Sequence, residues 1–151
     1  VIPPLKKTVT YSASSTLTPY SGMSFQAINA GDDRLTSWWS PTKTDRTTCW
    51  LQVSYSVARP INYIRIHGGS HFPSFKNLGN LYFQNLRIRI ANVKFSDRSE
   101  ELLELRDVDS VQQVVFRPRM TTSVRIYPLR YYQAERWNDP CISHFEAGYI
   151  D

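Results

Sequence analysis

Three histidines, His67, His71 and His144, are the only imidazoles in this chain of 151 residues. None falls in a His-Glu-x-x-His pattern, and neither a Gly-x-Ser-x-Gly elbow nor a phosphate-binding glycine loop occurs. The acidic pairs Glu100-Glu101 and Asp107/Asp109 lie around a short strand-like run and a turn, where they read as solvated edges. A glycosidase needs two carboxyls converging across a cleft, and nothing local supplies them. These residues favour binding over catalysis, and no enzyme activity is expected. The binding chemistry on offer is aromatic and cationic. Trp38, Trp39, Tyr82, Tyr131, Tyr132 and Trp137 are flat rings that either pack inside or cover the apolar face of a sugar. Of the 18 basic residues 13 are Arg, whose planar fork suits carboxylates, sulfates and phosphates. Arg136 stands beside Trp137, either to stack on its ring or to take an anion.

Net charge is +5, but the only adjacent basic pair is Lys6-Lys7. No basic tail of the nucleic-acid type is present, and no nucleic-acid partner is expected. No apolar run approaches the ~20 residues of a membrane span. At this length about 68–70% of the unfolded surface can be buried, enough for one core and one domain. The chain opens on Val1 with no signal peptide, as a mature protein or an excised module would. The two cysteines, Cys49 and Cys141, are spaced for neither zinc nor a redox pair. A disulfide and two free thiols are both open. A bridge would close a loop of roughly 90 residues and contribute about 4–5 kcal/mol in the chain-entropy picture. No Asn-x-Ser/Thr acceptor occurs.

The elements that must carry these residues are short strands between turn signals. Runs are predicted at Thr8 to Ser14, Trp50 to Val57, Ile61 to His67, Leu86 to Phe95, Glu101 to Leu105, Val111 to Phe116, Thr122 to Leu129 and Cys141 to Ile150. Leu51, Val53, Tyr55 and Val57 should share a core face, as should Leu86, Ile88 and Ile90, with Arg87 and Arg89 opposite. Pro118 should end its run, because proline cannot donate to the ladder. A short helical turn fits Phe25 to Ala30. About eight antiparallel strands with little helix predict an all-β jelly-roll sandwich. Two connections, Gly68 to Asn85 and Arg130 to Pro140, are long and aromatic, and loops of that length are usually functional.

The ordered motifs resemble a known family. Ser12-Ala13-Ser14-Ser15, then Ala27-Ile28-Asn29-Ala30-Gly31-Asp32-Asp33-Arg34-Leu35-Thr36-Ser37-Trp38, Cys49-Trp50-Leu51-Gln52-Val53 and Ile64-Arg65-Ile66 are similar to the opening segments of discoidin-like domains. These are the coagulation-factor C-type domains and related carbohydrate-binding modules of the galactose-binding fold. Asn85-Leu86-Arg87-Ile88-Arg89, Val93-Lys94-Phe95-Ser96-Asp97, Val111 to Phe116, Val124-Arg125-Ile126 and Trp137 to Ser143 look closest to the glycan-binding-type domains attached to bacterial NAD glycohydrolases and surface proteins.

The resemblance implies a single discoidin-like domain over residues 1–151, a module of a larger protein, extracellular or at the cell surface. It implies a non-catalytic, lectin-like carbohydrate-binding role, with a glycan or cell-surface polysaccharide as partner. In that family ligands bind in loops at one end of the sandwich. By that mapping the ligand-binding residues are Trp39, His67, His71, Asn85, Arg87, Tyr132, Arg136 and Trp137. The family keeps the Trp38 position in its core, which leaves Trp39 as the exposed one of the pair. A protein- or anionic-lipid-interaction module on the same scaffold is the alternative, with Phe72 and Phe75 as membrane-seeking spikes, and a dimer burying Phe72 and Tyr82 is a third. Many relatives hold a structural calcium, which here would fall to Asn29, Asp32, Asp33 and Thr36, with Glu146 as a further oxygen. His144 stands where the family often has a glutamate, which removes one hard ligand, and a metal-free loop closed by Asx-turn bonds is the other reading.

Overall fold

The structure, a computed structural model, describes residues 9–74 and 79–151. Lys6, Lys7, Thr8 and Phe75 lie outside the described residues. Among the described residues six strands occur where eight runs were expected: β1 (Val9–Ala13), β2 (Leu51–His67), β3 (Arg87–Phe95), β4 (Glu100–Glu104), β5 (Gln112–Tyr132) and β6 (His144–Gly148). The difference is fusion. Runs two and three form the 17-residue β2, and runs six and seven form the 21-residue β5. β5 carries Pro118 inside a register break, whereas Pro60 of β2 stays paired with Met120 between two breaks. Between Ser54↔Ser123 and Arg59↔Thr121 the chain advances five residues on β2 and two on β5. The surplus puts Val57 on a bulge at 51% exposure rather than in the core. Between Ile61↔Arg119 and Tyr63↔Val115 the surplus is on β5 and contains Pro118, so its missing N–H interrupts no ladder bond.

Among the described residues every strand pairs antiparallel, and the isolated Leu86–Pro140 bridge is parallel. The order is β1-β2-β5-β3-β4, with β6 on the far half of β2. The first half of β2 pairs with β1 and the second with β6, so one bent strand serves both layers. A third irregularity, in β3 between Ile88 and Ala91, switches the face that points inward. Ile88 is buried before it and Ala91, Val93 and Phe95 after it, while Ile90 is only partly covered. Arg87 is also buried, contrary to the simple alternation. Between the layers lie Trp39, Leu51, Ile61, Ile64, Ile66, Ile126, Ile142 and Phe145, each at 0% exposure. The expected turn appears as a 3-10 helix at Ala27–Ala30. Gly31 follows it because a Cβ there would lie 2.3 Å from the Tyr11 ring, which is pinned by its hydroxyl donating to the Phe145 carbonyl.

Both cysteines are free and buried. Cys49 contacts the Tyr131 hydroxyl at 3.7 Å and Cys141 the Ser40 hydroxyl at 3.4 Å. Burial pushes the Cys49 thiol up to about 11 and the Cys141 thiol higher still. Since the thiolate is the reactive form, an aromatic disulfide reagent should titrate no thiol in the native protein and two after denaturation. A count of zero in both states would mean a disulfide instead.

Candidate functional site

The two long connections meet. The Glu135 N–H donates to the Phe83 carbonyl at 2.9 Å, Trp137 N–H to Gln84 at 2.7 Å, and Leu86 N–H to Asp139 at 3.1 Å. A third loop closes on them. Its Tyr20-Ser21-Gly22-Met23 segment is a two-residue hairpin turn with φ of 55° at Ser21 and 77° at Gly22, held by reciprocal Tyr20–Met23 backbone bonds at 3.0 Å. Between the three lies a cavity of about 850 Å³. Phe25, Trp38 and Leu81 form its floor, a hydrophobic cluster separate from the main core, with Leu17, Met23 and Trp137 packed against it. Its polar lining includes Lys43, Asn85, Arg136 and Asp139. The Arg136 guanidinium sits 5.2 Å from the Trp137 ring centroid, and Tyr20 stands at the lip at 72% exposure. Burial raises the Asp139 carboxyl above the usual aspartate range, against the pull of Lys43 and Arg46.

Behind the cavity lies a polar network, and it draws in the two aspartates expected at the solvated edge. Arg87 donates to both oxygens of Asp107, at 3.1 and 2.8 Å, and to the carbonyls of Gln133 at 2.7 Å and Asn85 at 3.3 Å. The Tyr82 hydroxyl also donates to Asp107, at 2.9 Å. The Arg87 guanidinium holds the Asp107 carboxyl below the ordinary aspartate range. Asp109 has three partners, His67 at 2.7 Å, His71 at 2.8 Å and Asn80 at 3.1 Å. Burial is the largest single influence on Asp109 and opposes ionisation, but the hydrogen bonds together outweigh it and lower the carboxyl.

The expected ligand-binding residues thus divide. Asn85, Arg136 and Trp137 line the cavity. His67, His71, Arg87 and Tyr132 do not; the first three belong to the network, and the Tyr132 hydroxyl donates to the Leu105 carbonyl at 2.7 Å. His67 is fully buried and Arg87 nearly so, leaving neither free to touch a ligand at the surface. Trp39 corrects the expectation of exposure. Its backbone bridges Ile142, its ring N–H donates to the Ser15 carbonyl at 2.9 Å, and it is 0% exposed. Trp38, read as core, is buried in the smaller apolar cluster and also has one side on the cavity. Tyr20, Lys43 and Asp139 were missed; the Ser21-Gly22 dipeptide was the available turn signal. Phe72 packs against the cavity-floor cluster, and Tyr82 is buried inside the chain itself, against a dimer seat.

The loop assigned to calcium does not fit that ion as folded. Asp32 already accepts from the Arg34 N–H at 2.9 Å and from the Ser37 hydroxyl at 2.5 Å. Asn29 turns its amide nitrogen onto the Ser24 and Trp38 carbonyls, and Asp33 and Thr36 are exposed. Glu146 is taken by His144 at 3.2 Å and Arg65 at 3.5 Å. Among the described residues these carboxylates bring no group of three to one point, and calcium needs six to eight oxygens.

No protein-family model matches the sequence, and no curated protein matches it. Solved structures match its shape. A family 32 carbohydrate-binding module of C. perfringens NanJ, in complex with galactose, superposes at a TM-score of 0.63 over 92% of each chain, with 18% identity. The family 32 module of AlyQ, in complex with 4,5-unsaturated mannuronic acid, gives 0.62 over 95% of this chain and 97% of that one, at 10% identity. The chain has the discoidin-like jelly-roll fold. The same fold occurs as a part of larger chains: the arabinofuranosyltransferase AftD from Mycobacteria matches at 0.68 over 95% of this chain and 10% of its own, at 14% identity.

The network makes a stability prediction. Asp107→Asn leaves the shape but strips the buried Arg87 of its counter-charge, and breaking such a pair costs about 3 kcal/mol. Urea unfolding should show that loss. Arg87→Met with Asp107→Asn together should recover part of it, and a single variant as stable as the parent would contradict this reading.

Proposed function

We propose that this chain is a non-catalytic carbohydrate-binding domain whose site is the cavity between the three loops. The observation that carries the reading is that cavity itself, an aromatic-floored pocket with a polar, mainly cationic rim at the loop end of a discoidin-like sandwich. Its volume falls within the ~300–1,000 Å³ usual for small-molecule sites. A sugar ring offers a C–H face to Trp137 or Tyr20 and hydroxyls to Asn85 and Asp139. Arg136 and Lys43 add two positive groups, which favours a glycan carrying carboxylates over a neutral one. The galactose and mannuronic-acid complexes of structurally similar modules support this ligand class. A role outside the cell or at its surface, on a polysaccharide, follows from the same reading.

A glycan array containing neutral and uronic-acid oligosaccharides, followed by calorimetry, tests it. Trp137→Ala should weaken binding by about tenfold to a hundredfold while leaving the melting temperature nearly unchanged. Arg136→Gln should reduce the preference for acidic ligands, and that preference should fade with salt in the parent as well. A blank array from folded protein would overturn the proposal.

A further inference from the structure

His67, His71 and Asp109 bring one ligand atom each within 4.8 Å of one another. They come from three places in the fold: the end of β2, the connection after it, and the segment between β4 and β5. His67 Nε2 lies 2.7 Å from Asp109 Oδ1, and His71 Nδ1 lies 2.8 Å from the same oxygen. The other face of the His67 ring is also engaged, with Nδ1 3.1 Å from the Gly69 carbonyl. That carbonyl accepts from the Ser143 hydroxyl as well, so it is fixed in place.

Counting protons exposes a conflict. A carbonyl oxygen only accepts, so His67 Nδ1 must carry the hydrogen. In a neutral ring Nε2 then has a lone pair, and it points at a carboxylate that also meets His71 Nδ1 on Oδ1 and accepts from the Asn80 amide on Oδ2. Either the fully buried ring is a cation, or a cation stands between ring and carboxylate. With the ring fully buried, a bare charge there is costly. A metal ion resolves the conflict: it takes Nε2, while Nδ1–H keeps its bond to Gly69. A ligating histidine with its second nitrogen on a backbone carbonyl, beside a carboxylate oriented by an amide, is the usual outer shell of a metal site. Asn80 supplies that amide.

We propose that His67 Nε2, His71 Nδ1 and Asp109 Oδ1 bind a divalent transition metal, for which Zn²⁺ is the best match. Two nitrogens and one oxygen are too few and too soft for calcium, and suit a tetrahedral ion with its fourth position open. Metal–ligand bonds of about 2.0–2.2 Å put tetrahedral ligands roughly 3.3 Å apart, so the atoms need to part by about half an ångström. His71 and Asp109 are 26% and 21% exposed, which gives the ion a way in. The bound metal would clamp the connection after β2, which carries Leu81 and Asn85 to the cavity, onto the segment before β5. The site stands independently of the glycan reading.

The test uses tag-free protein stripped with EDTA. Co²⁺ should give tetrahedral visible absorption bands that saturate at one equivalent and are displaced by Zn²⁺. At a hundredfold excess over its Kd, Zn²⁺ should raise the melting temperature by about 5–10 °C, whereas Ca²⁺ should not. His71→Ala, at a partly exposed position, should fold and lose both responses; Asp109→Asn should do the same. Parent protein with neither a Co²⁺ band nor a Zn²⁺ shift would overturn the proposal. So would full responses in His71→Ala, which would point to the cysteines instead.

Discussion

A guanidinium group cannot shed its proton, so burying Arg87 obliges the chain to surround it with acceptors. The acceptors come from three separate places. Asp107 belongs to the segment after β4, Gln133 to the connection after β5, and Asn85 to the residues just before β3. Each must be in position for the charge to be satisfied, and a charge left unpaired at that depth is far costlier than a lost surface contact. Arg87 therefore fixes the relative placement of the connections that build the cavity. Tyr82 and Phe83 enclose it from the side, with ring centroids 5.5 and 5.0 Å from the guanidinium carbon.

The cavity exists because the molecule has two apolar clusters rather than one. The main core is closed by β-branched and aromatic side chains between the layers. The smaller cluster of Phe25, Trp38, Leu81 and Cys141 sits outside the layers, under loops that cannot fully cover it. Neighbours in sequence are sorted between the two: Trp39 goes down into the core and Trp38 up into the floor. Phe25 and Trp38 lie 6.2 Å apart, which stiffens that floor. A floor of rigid rings loses little entropy when something is laid on it.

The all-β class and the place of most strands were legible in the sequence, because alternation and turn residues are local signals. What was not legible has a common physical source. A bulge shifts the side-chain period by one, and no pattern of apolar residues marks where the surplus residue goes. Such shifts take Ile90 off the face of Ile88 and Val57 out of the core, whereas Arg87 lies ahead of the β3 shift and is buried by its distant acceptors. Asp107 and Asp109 read as solvent-facing because charge predicts exposure unless the partner is known. Their partners stand far off in sequence, 20 residues away for Arg87 and 42 for His67. Trp39 was misplaced for a related reason, since only its bridge to Ile142 decides which of two adjacent tryptophans turns inward.

This division gives stability and the proposed recognition to different layers of the same end of the fold. The charged network is internally satisfied, with donors matched to acceptors around Arg87 and Asp107, and its side chains are spent on holding backbone. The cavity side chains are the reverse. Tyr20 and Arg136 reach solvent, and Asp139 is left with a carboxyl that burial makes reluctant to ionise. A half-buried acid beside Lys43 and Arg136 tempers the positive rim without cancelling it, so the rim keeps an attraction for anions. Substitutions at Tyr20, Lys43 or Arg136 can alter that attraction without touching the groups that fix the loops. Recognition can therefore change on this scaffold while the fold does not, which accords with an overall shape retained across matches of 10–18% identity.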